Sequence, residues 1–256
     1  MLPTPSTDHV TFENVYEPAE DSFLLLDTLS SRSEREFLRA RFPATAGASP
    51  VVLEIGTGSG VVLAFVAANA LHILGRSDIM TVATDINSFA CHATKKTLQL
   101  ALASNASENP SAPVPIFLDS INSDLASPLR AGSLDVLIFN PPYVPTEGLP
   151  DLSKHDKFNA VTEHGADSFD CNSHMLALSY AGGVDGMEVT NRLLGQIPTL
   201  LRKGEGVAYI LLCAQNRPDH VKSLVRQWGS GWKVETVGSS GKKAGWERLQ
   251  VIRIWQ

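Results

Sequence analysis

Asn140-Pro141-Pro142-Tyr143 ends the apolar run Leu134-Asp135-Val136-Leu137-Ile138-Phe139, and its residue types are those of a loop that holds a planar nitrogen group. The Asn140 side-chain oxygen and the carbonyl of Pro141 are both acceptors. Together they can take the two hydrogens of an –NH2 and fix the direction of its lone pair. Pro141 has its own φ locked and Pro142 biases it towards an extended conformation, so the acceptor is stiff before anything binds. Tyr143 can cover one face of a flat amide or base. Asn and Pro are also common turn residues, so the elements around the loop have to separate a site from an ordinary strand end.

Those elements begin with Val51-Val52-Leu53-Glu54-Ile55, which leads into Gly56-Thr57-Gly58-Ser59-Gly60 and then into the apolar stretch Val61 to Ala68. Strand, glycine turn and buried helix form the first unit of a doubly wound sheet. The glycines, Gly56 and Gly58 first, let backbone come close to a ligand while helix N–H groups point at it. A nicotinamide dinucleotide site wants its third glycine at 61, where this chain has Val61. Glu54 can accept from, or pair with, the ammonium of a cofactor that carries an amino acid. The second strand, Ile79 to Thr84, closes with Asp85-Ile86-Asn87, where a ribose presents its two hydroxyls to an acid. A lone Asp85 would equally cap the helix that starts near Asn87-Ser88. Val114 to Leu118 reads as a third strand, at an edge because of Pro115. Two acids follow, and either could meet an adenine. Leu125 beside Asp124 can pack on the base while that carboxylate accepts from the exocyclic amine, whereas Asp119 lies nearer the strand end.

Elsewhere, Pro18 and the acids Glu20 and Asp21 mark the start of a helix through Phe23-Leu24-Leu25-Leu26, and the polar stretch from Ser30 to Pro50 reads as a helix end and a loop. Lys154-His155-Asp156-Lys157, His164 and His174 match no common metal spacing, and their segment reads as a solvated loop or substrate lid. Gly182, Gly183 and Gly186 suit a tight approach beside the loop at Asn140. They lead into a helix from Met187 towards Leu201 that Pro198 should kink or end. Gly206 to Leu212 is a fifth strand, Pro218 to Trp228 a helix, and Trp232 to Val237 with Arg248 to Trp255 a closing antiparallel hairpin.

In this order and at these intervals, Glu54 to Gly60, Asp85-Ile86-Asn87, Asp124-Leu125 and Asn140 to Tyr143 resemble the class I S-adenosylmethionine-dependent methyltransferases, and within them the HemK-like protein glutamine methyltransferases. Val15 to Ser22 and Trp246-Glu247-Arg248-Leu249 are similar to the eukaryotic branch. The resemblance implies an α/β fold with a doubly wound, seven-stranded, mostly parallel sheet and a C-terminal antiparallel hairpin. It divides the chain into a tail over residues 1–14 and one methyltransferase domain over 15–256, with a family-variable insertion at about 147–179. It implies S-adenosyl-L-methionine as cofactor, contacted by Ser22, Glu54, Gly56, Gly58, Asp85, Ile86, Asp124, Leu125 and Asn140. It further implies that the acceptor is the glutamine of the Gly-Gly-Gln loop in the class 1 translation release factor, and that the chain pairs with a small zinc-binding activator subunit.

Composition narrows the partners. The chain has 256 residues, 43% of them apolar, and 27 acidic against 21 basic residues give a net charge of −6. That balance argues against a broad phosphate-binding surface and therefore against the rival reading, an adenine methyltransferase of nucleic acid. A lysine acceptor is tetrahedral and fits two acceptors and an aromatic lid less well than an amide. Cys91, Cys171 and Cys213 show no Cys-x-x-Cys spacing, which points to reduced thiols in the cytoplasm or nucleus, and no apolar run is long enough for a membrane span.

Overall fold

The computed structural model describes residues 2–45, 47–108, 114–159, 169–241 and 248–256. Trp246, Glu247 and His164 lie outside them. Among the described residues the chain runs α1 (Glu20–Ser30), α2 (Arg32–Arg41), β1 (Val51–Ile55), α3 (Val61–Ala68), α4 (Ala70–Leu74), β2 (Met80–Asp85), α5 (Ser88–Glu108), β3 (Ile116–Asn122) and β4 (Val136–Phe139). A 3-10 turn at Leu152–Lys154, then α6 (His155–Phe158) and α7 (Phe169–Tyr180), fill the segment read as a loop or lid. After a second 3-10 turn at Val184–Gly186 come α8 (Glu188–Leu194), α9 (Ile197–Leu200), β5 (Val207–Cys213), a third at Ala214–Asn216, α10 (Pro218–Arg226), β6 (Lys233–Ser239) and β7 (Leu249–Trp255).

The strands form one seven-stranded sheet in the order β3-β2-β1-β4-β5-β7-β6. β1 to β5 run parallel, and β7 enters antiparallel between β5 and β6. Strands covered on both faces read as unbroken apolar runs, and every residue of β4 and β5 is buried. Their side chains alternate between two cores. Val136, Ile138, Val207, Tyr209 and Leu211 face α1, α3 and α4, while Leu137, Phe139, Ala208, Ile210 and Leu212 face α8, α9 and α10. Val10 and Val15, from the stretch read as a tail and its boundary, pack on Ala90 of α5.

Three local expectations are corrected. The polar stretch after Ser30 is not a loop, because α2 occupies Arg32–Arg41 with Ser31 as its N-cap, accepting from Glu34 N–H at 3.3 Å. Its charge is turned inward at Glu34, which is 1% exposed and receives Arg253 Nη1 at 2.8 Å and the Tyr209 hydroxyl at 2.8 Å. β3 starts at Ile116 rather than Val114 and continues to Asn122, so Asp119 lies within the strand, 3.3 Å from Lys95 Nζ. The helix after Met187 breaks at Gly195-Gln196, ahead of Pro198. Pro198 lies in the first turn of α9, where a missing N–H costs nothing.

Candidate active site

The strand order reverses between β1 and β4, and ligands of doubly wound sheets bind outside the carboxyl ends at such a point. There a cleft opens that encloses about 1210 Å3, counted out to the solvent at its mouth. It is lined by Ser22, Glu54, Gly56, Gly58, Asp85, Ile86, Asp124, Leu125, Asn140, Pro141 and Pro142.

The glycine loop is shaped by backbone and by contact. Gly60 has φ of +78°, and a Cβ there would lie 2.6 Å from Thr94 Cα, so α3 meets α5 only without a side chain. Glu54, 2% exposed, uses Oε2 to accept from Leu63 N–H at 2.9 Å and the Thr57 hydroxyl at 3.1 Å, satisfying one of the orphan donors at the start of α3. Burial pushes its carboxyl up to about 8, against the pull of those two hydrogen bonds. Asp85 accepts from Gly58 N–H at 3.0 Å and Asn87 N–H at 2.8 Å, and burial pushes it up to about 6. Asn87 performs the capping, accepting from Phe89 N–H at 2.9 Å. Asp85 is therefore held against the glycine loop rather than spent on α5.

The acceptor loop follows β4. Asn140 Oδ1 is buried and has no hydrogen-bond partner among the described residues. A buried acceptor left unmade costs about 1–3 kcal/mol, which a donor brought by a ligand would recover. The loop is fixed from behind. Asn216, 2% exposed, donates through Nδ2 to the Tyr143 carbonyl at 2.9 Å and to the Asp185 carbonyl at 3.0 Å. Val144 N–H donates to Tyr180 at 2.9 Å, and Gly182 N–H returns a bond to Val144 at 2.8 Å.

Tyr143 is not brought to the cleft with the others. Its ring packs at the edge of the core under α1, and its hydroxyl points to Asp21 Oδ2 at 3.4 Å. Asp21, 3% exposed, also accepts from the Tyr16 hydroxyl at 3.1 Å and, through Oδ1, from Ser22 N–H at 2.6 Å. One carboxylate thus joins Ser22 to the acceptor loop, a role hidden in the sequence because an acid in a first helical turn needs no further explanation. Asp119 does not line the cleft. Asp124 does, and its carboxylate is engaged by Arg192 of α8. Arg192 and Asn216 carried no sequence signal. Nor did Leu149, Leu152, Met175 and Leu178, which wall the cleft from the 147–179 segment.

Two buried carboxylates around a glycine loop, with an unpaired amide oxygen opposite, on a seven-stranded sheet with an antiparallel end, define a class I methyltransferase. No family model matches the chain. It is 33% identical over 263 residues to the eRF1 methyltransferase catalytic subunit mtq2 of Schizosaccharomyces pombe, covering 100% of this chain and 96% of that one. It is 30% identical over 253 residues to methyltransferase HEMK2 of Homo sapiens, covering 98% and 95%. The solved Mtq2-Trm112 complex of E. cuniculi shares the fold, with a TM-score of 0.54 at 21% identity over 95% of this chain and 99% of that one. The chain belongs to the HemK-like methyltransferase family. Membership implies an S-adenosylmethionine-type cofactor, and the residues at the cleft fit one: acids for an ammonium and a ribose, and backbone open at Gly58, where an added Cβ would meet nothing within 4 Å.

Proposed function

We propose that the chain methylates the side-chain amide nitrogen (N5) of the glutamine in the Gly-Gly-Gln loop of the class 1 eukaryotic translation release factor. It uses S-adenosyl-L-methionine and acts as the catalytic subunit of a heterodimer with a small zinc-binding activator. The observation that carries this reading is the buried, unpartnered Asn140 Oδ1 beside a rigid pair of prolines. The names of the relatives above, an eRF1 methyltransferase subunit and an Mtq2-Trm112 complex, support the substrate and the pairing.

Ser22, Glu54, Gly56, Gly58, Asp85, Ile86, Asp124 and Leu125 hold the cofactor, and Asn140 touches both it and the substrate. When bound, the sulfonium supplies an activated methyl group and a thioether leaving group. The remaining work falls to the chain. An amide nitrogen is a weak nucleophile because its lone pair is delocalised, so Asn140 Oδ1 and the Pro141 carbonyl accept hydrogen bonds from its two N–H groups and turn the lone pair into line, and the methylated nitrogen then sheds one of those protons to solvent. Both acceptors strengthen their hold as the nitrogen gains positive character, which favours the transition state over the ground state. Asn216 and Asp21 keep the loop from retreating. The activator docks on the exposed edge of β3.

The test is transfer of labelled methyl from S-adenosylmethionine by the chain co-expressed with the activator. The acceptors are intact release factor, a form with its loop glutamine replaced, and adenine-containing DNA. Label on the intact factor that vanishes with the glutamine is the expected result, and label on DNA alone would replace this reading with the adenine one. In the same assay Asn140→Ala should keep cofactor binding within a few-fold and lower transfer by on the order of 10² or more. Undiminished turnover would remove Asn140 from the mechanism.

A further inference from the structure

His155 and His174 match no common metal spacing and play no part in the transfer step, yet His155 is buried against the cofactor side. His155, 7% exposed, opens α6 and places Nε2 2.9 Å from the carbonyl oxygen of Ile86. A carbonyl only accepts, so Nε2 carries the proton. Nδ1 faces His174 Nε2 of α7 at 3.2 Å, and the Phe158 ring lies against His174 at 5.3 Å between centroids, tilted by 43°. One turn later Asn159 makes three contacts with the same wall. Its side-chain oxygen accepts from Ser88 N–H at 2.6 Å, its backbone carbonyl accepts from the Ser88 hydroxyl at 2.6 Å, and its Nδ2 donates to Asn122 Oδ1 at 2.8 Å. Asn122 in turn donates to the carbonyls of Asp85 at 3.0 Å and Ile86 at 2.8 Å.

These bonds converge on residues 85–88, the turn that carries Asp85 and Ile86 into the cleft. In the β2-to-α5 turn the carbonyl at 86 is shared by Asn122 of β3 and His155, and the N–H at 88, an orphan donor at the start of α5, is taken by Asn159. We infer that His155 and Asn159 are positioning residues for the cofactor: residues 155–159 form a strap that fixes the Asp85–Ser88 turn. The inference rests on the reading of the cleft as an S-adenosylmethionine site and adds residues that reach the cofactor only through Ile86, Ser88 and Asn122.

The experiment measures S-adenosylmethionine binding by calorimetry on the chain paired with its activator, alongside steady-state kinetics. His155→Ala, which loses one hydrogen bond to the Ile86 carbonyl, should weaken the cofactor about tenfold, and Asn159→Ala, which loses the two made by its side chain, by at least as much. His155→Gln, whose amide nitrogen can still donate to Ile86, should recover affinity to within two- or three-fold of wild type, a rescue that a mere loss of bulk would not give. At saturating cofactor, kcat and the KM for release factor should stay within two-fold of wild type. Unchanged affinity in both alanine variants, or a glutamine variant as weak as alanine, would overturn the strap while leaving the site reading intact. Wild type that binds no S-adenosylmethionine would overturn both.

Discussion

At the scale of single residues, Glu54 and Asp85, the two buried carboxylates at the glycine loop, sit where burial disfavours their charge. Glu54 has an ordinary value of 4.5 and is pushed by burial up to about 8, and Asp85 moves from 3.8 up to about 6. For an acid raised in this way the folded state binds the proton more tightly than the unfolded chain. The contribution to stability is therefore full below pH 4.5 and lost as pH rises through about 8 for Glu54, and full below pH 3.8 and lost through about 6 for Asp85. A ligand that offers an ammonium and hydroxyl donors pulls both values back down, so binding must expel protons. Calorimetric titration of S-adenosylmethionine at pH 7 in two buffers of different ionisation enthalpy should show net proton release, and affinity should rise between pH 6 and 8. Proton uptake would mean that neither acid faces the cofactor. Glu54 and Asp85 could be found from sequence because strand ends advertise their acids. Asp21, Asn216 and Arg192 could not, since each acts on a partner 68 or more residues away in at least one of its contacts.

Among the elements, the contact that decides the site lies between the loop after β4 and the glycine turn between α7 and α8. Gly186 has φ of +68°, and a Cβ there would run into the Tyr143 carbonyl oxygen and lie 2.6 Å from Asn216 Nδ2. Gly186→Ala therefore combines a left-handed backbone penalty of about 1 kcal/mol with overpacking of about 1–3 kcal/mol. It should lower the thermal midpoint by roughly 5–15 °C. It should also abolish most transfer, while cofactor affinity, set on β1 and β2, changes little. Gly58→Ala is the contrasting case. Its φ is +54° but its added methyl meets open space within the cleft, so folding should lose only about 1 kcal/mol while cofactor affinity falls. Matching losses in both variants would contradict this division of labour. Sequence periodicity located these turns and the parallel strands, because buried central strands have one pattern. It missed α2, whose single buried apolar stripe is diluted by arginines and by a buried Glu34, and it shortened β3, whose exposed half carries Asp119, Ser120 and Asn122. In both places a distant partner, Arg253 for Glu34 and the Asp85–Ser88 turn for Asn122, replaces the local signal.

For the whole molecule, the sheet is finished differently at its two ends. On one side the edge is the antiparallel β6, whereas on the other it is the parallel β3, with Ile116 58% and Leu118 53% exposed. An apolar edge strand left open pairs with other chains, and a dedicated partner is the way to occupy it without aggregation. The exposed Lys95–Asp119 pair that ties this strand to α5 is worth little in water. Replacing apolar by charged side chains, Ile116→Lys with Leu118→Lys, should leave the isolated chain's folding almost untouched, because neither side chain is in the core. The same pair would remove about 3 kcal/mol or more of apolar burial from a complex and desolvate two ammonium groups, a loss of at least about 100-fold in affinity. Co-purification with the activator and methyl transfer to release factor should then fail together. Leu71→Lys on α4, equally exposed at 60% but remote from β3, should alter neither. A complex that survives the β3 substitutions would place the activator on another face. A purified chain that is monomeric and fully active alone would remove the need for an activator, and the open edge would have to be explained by some other strand laid against it.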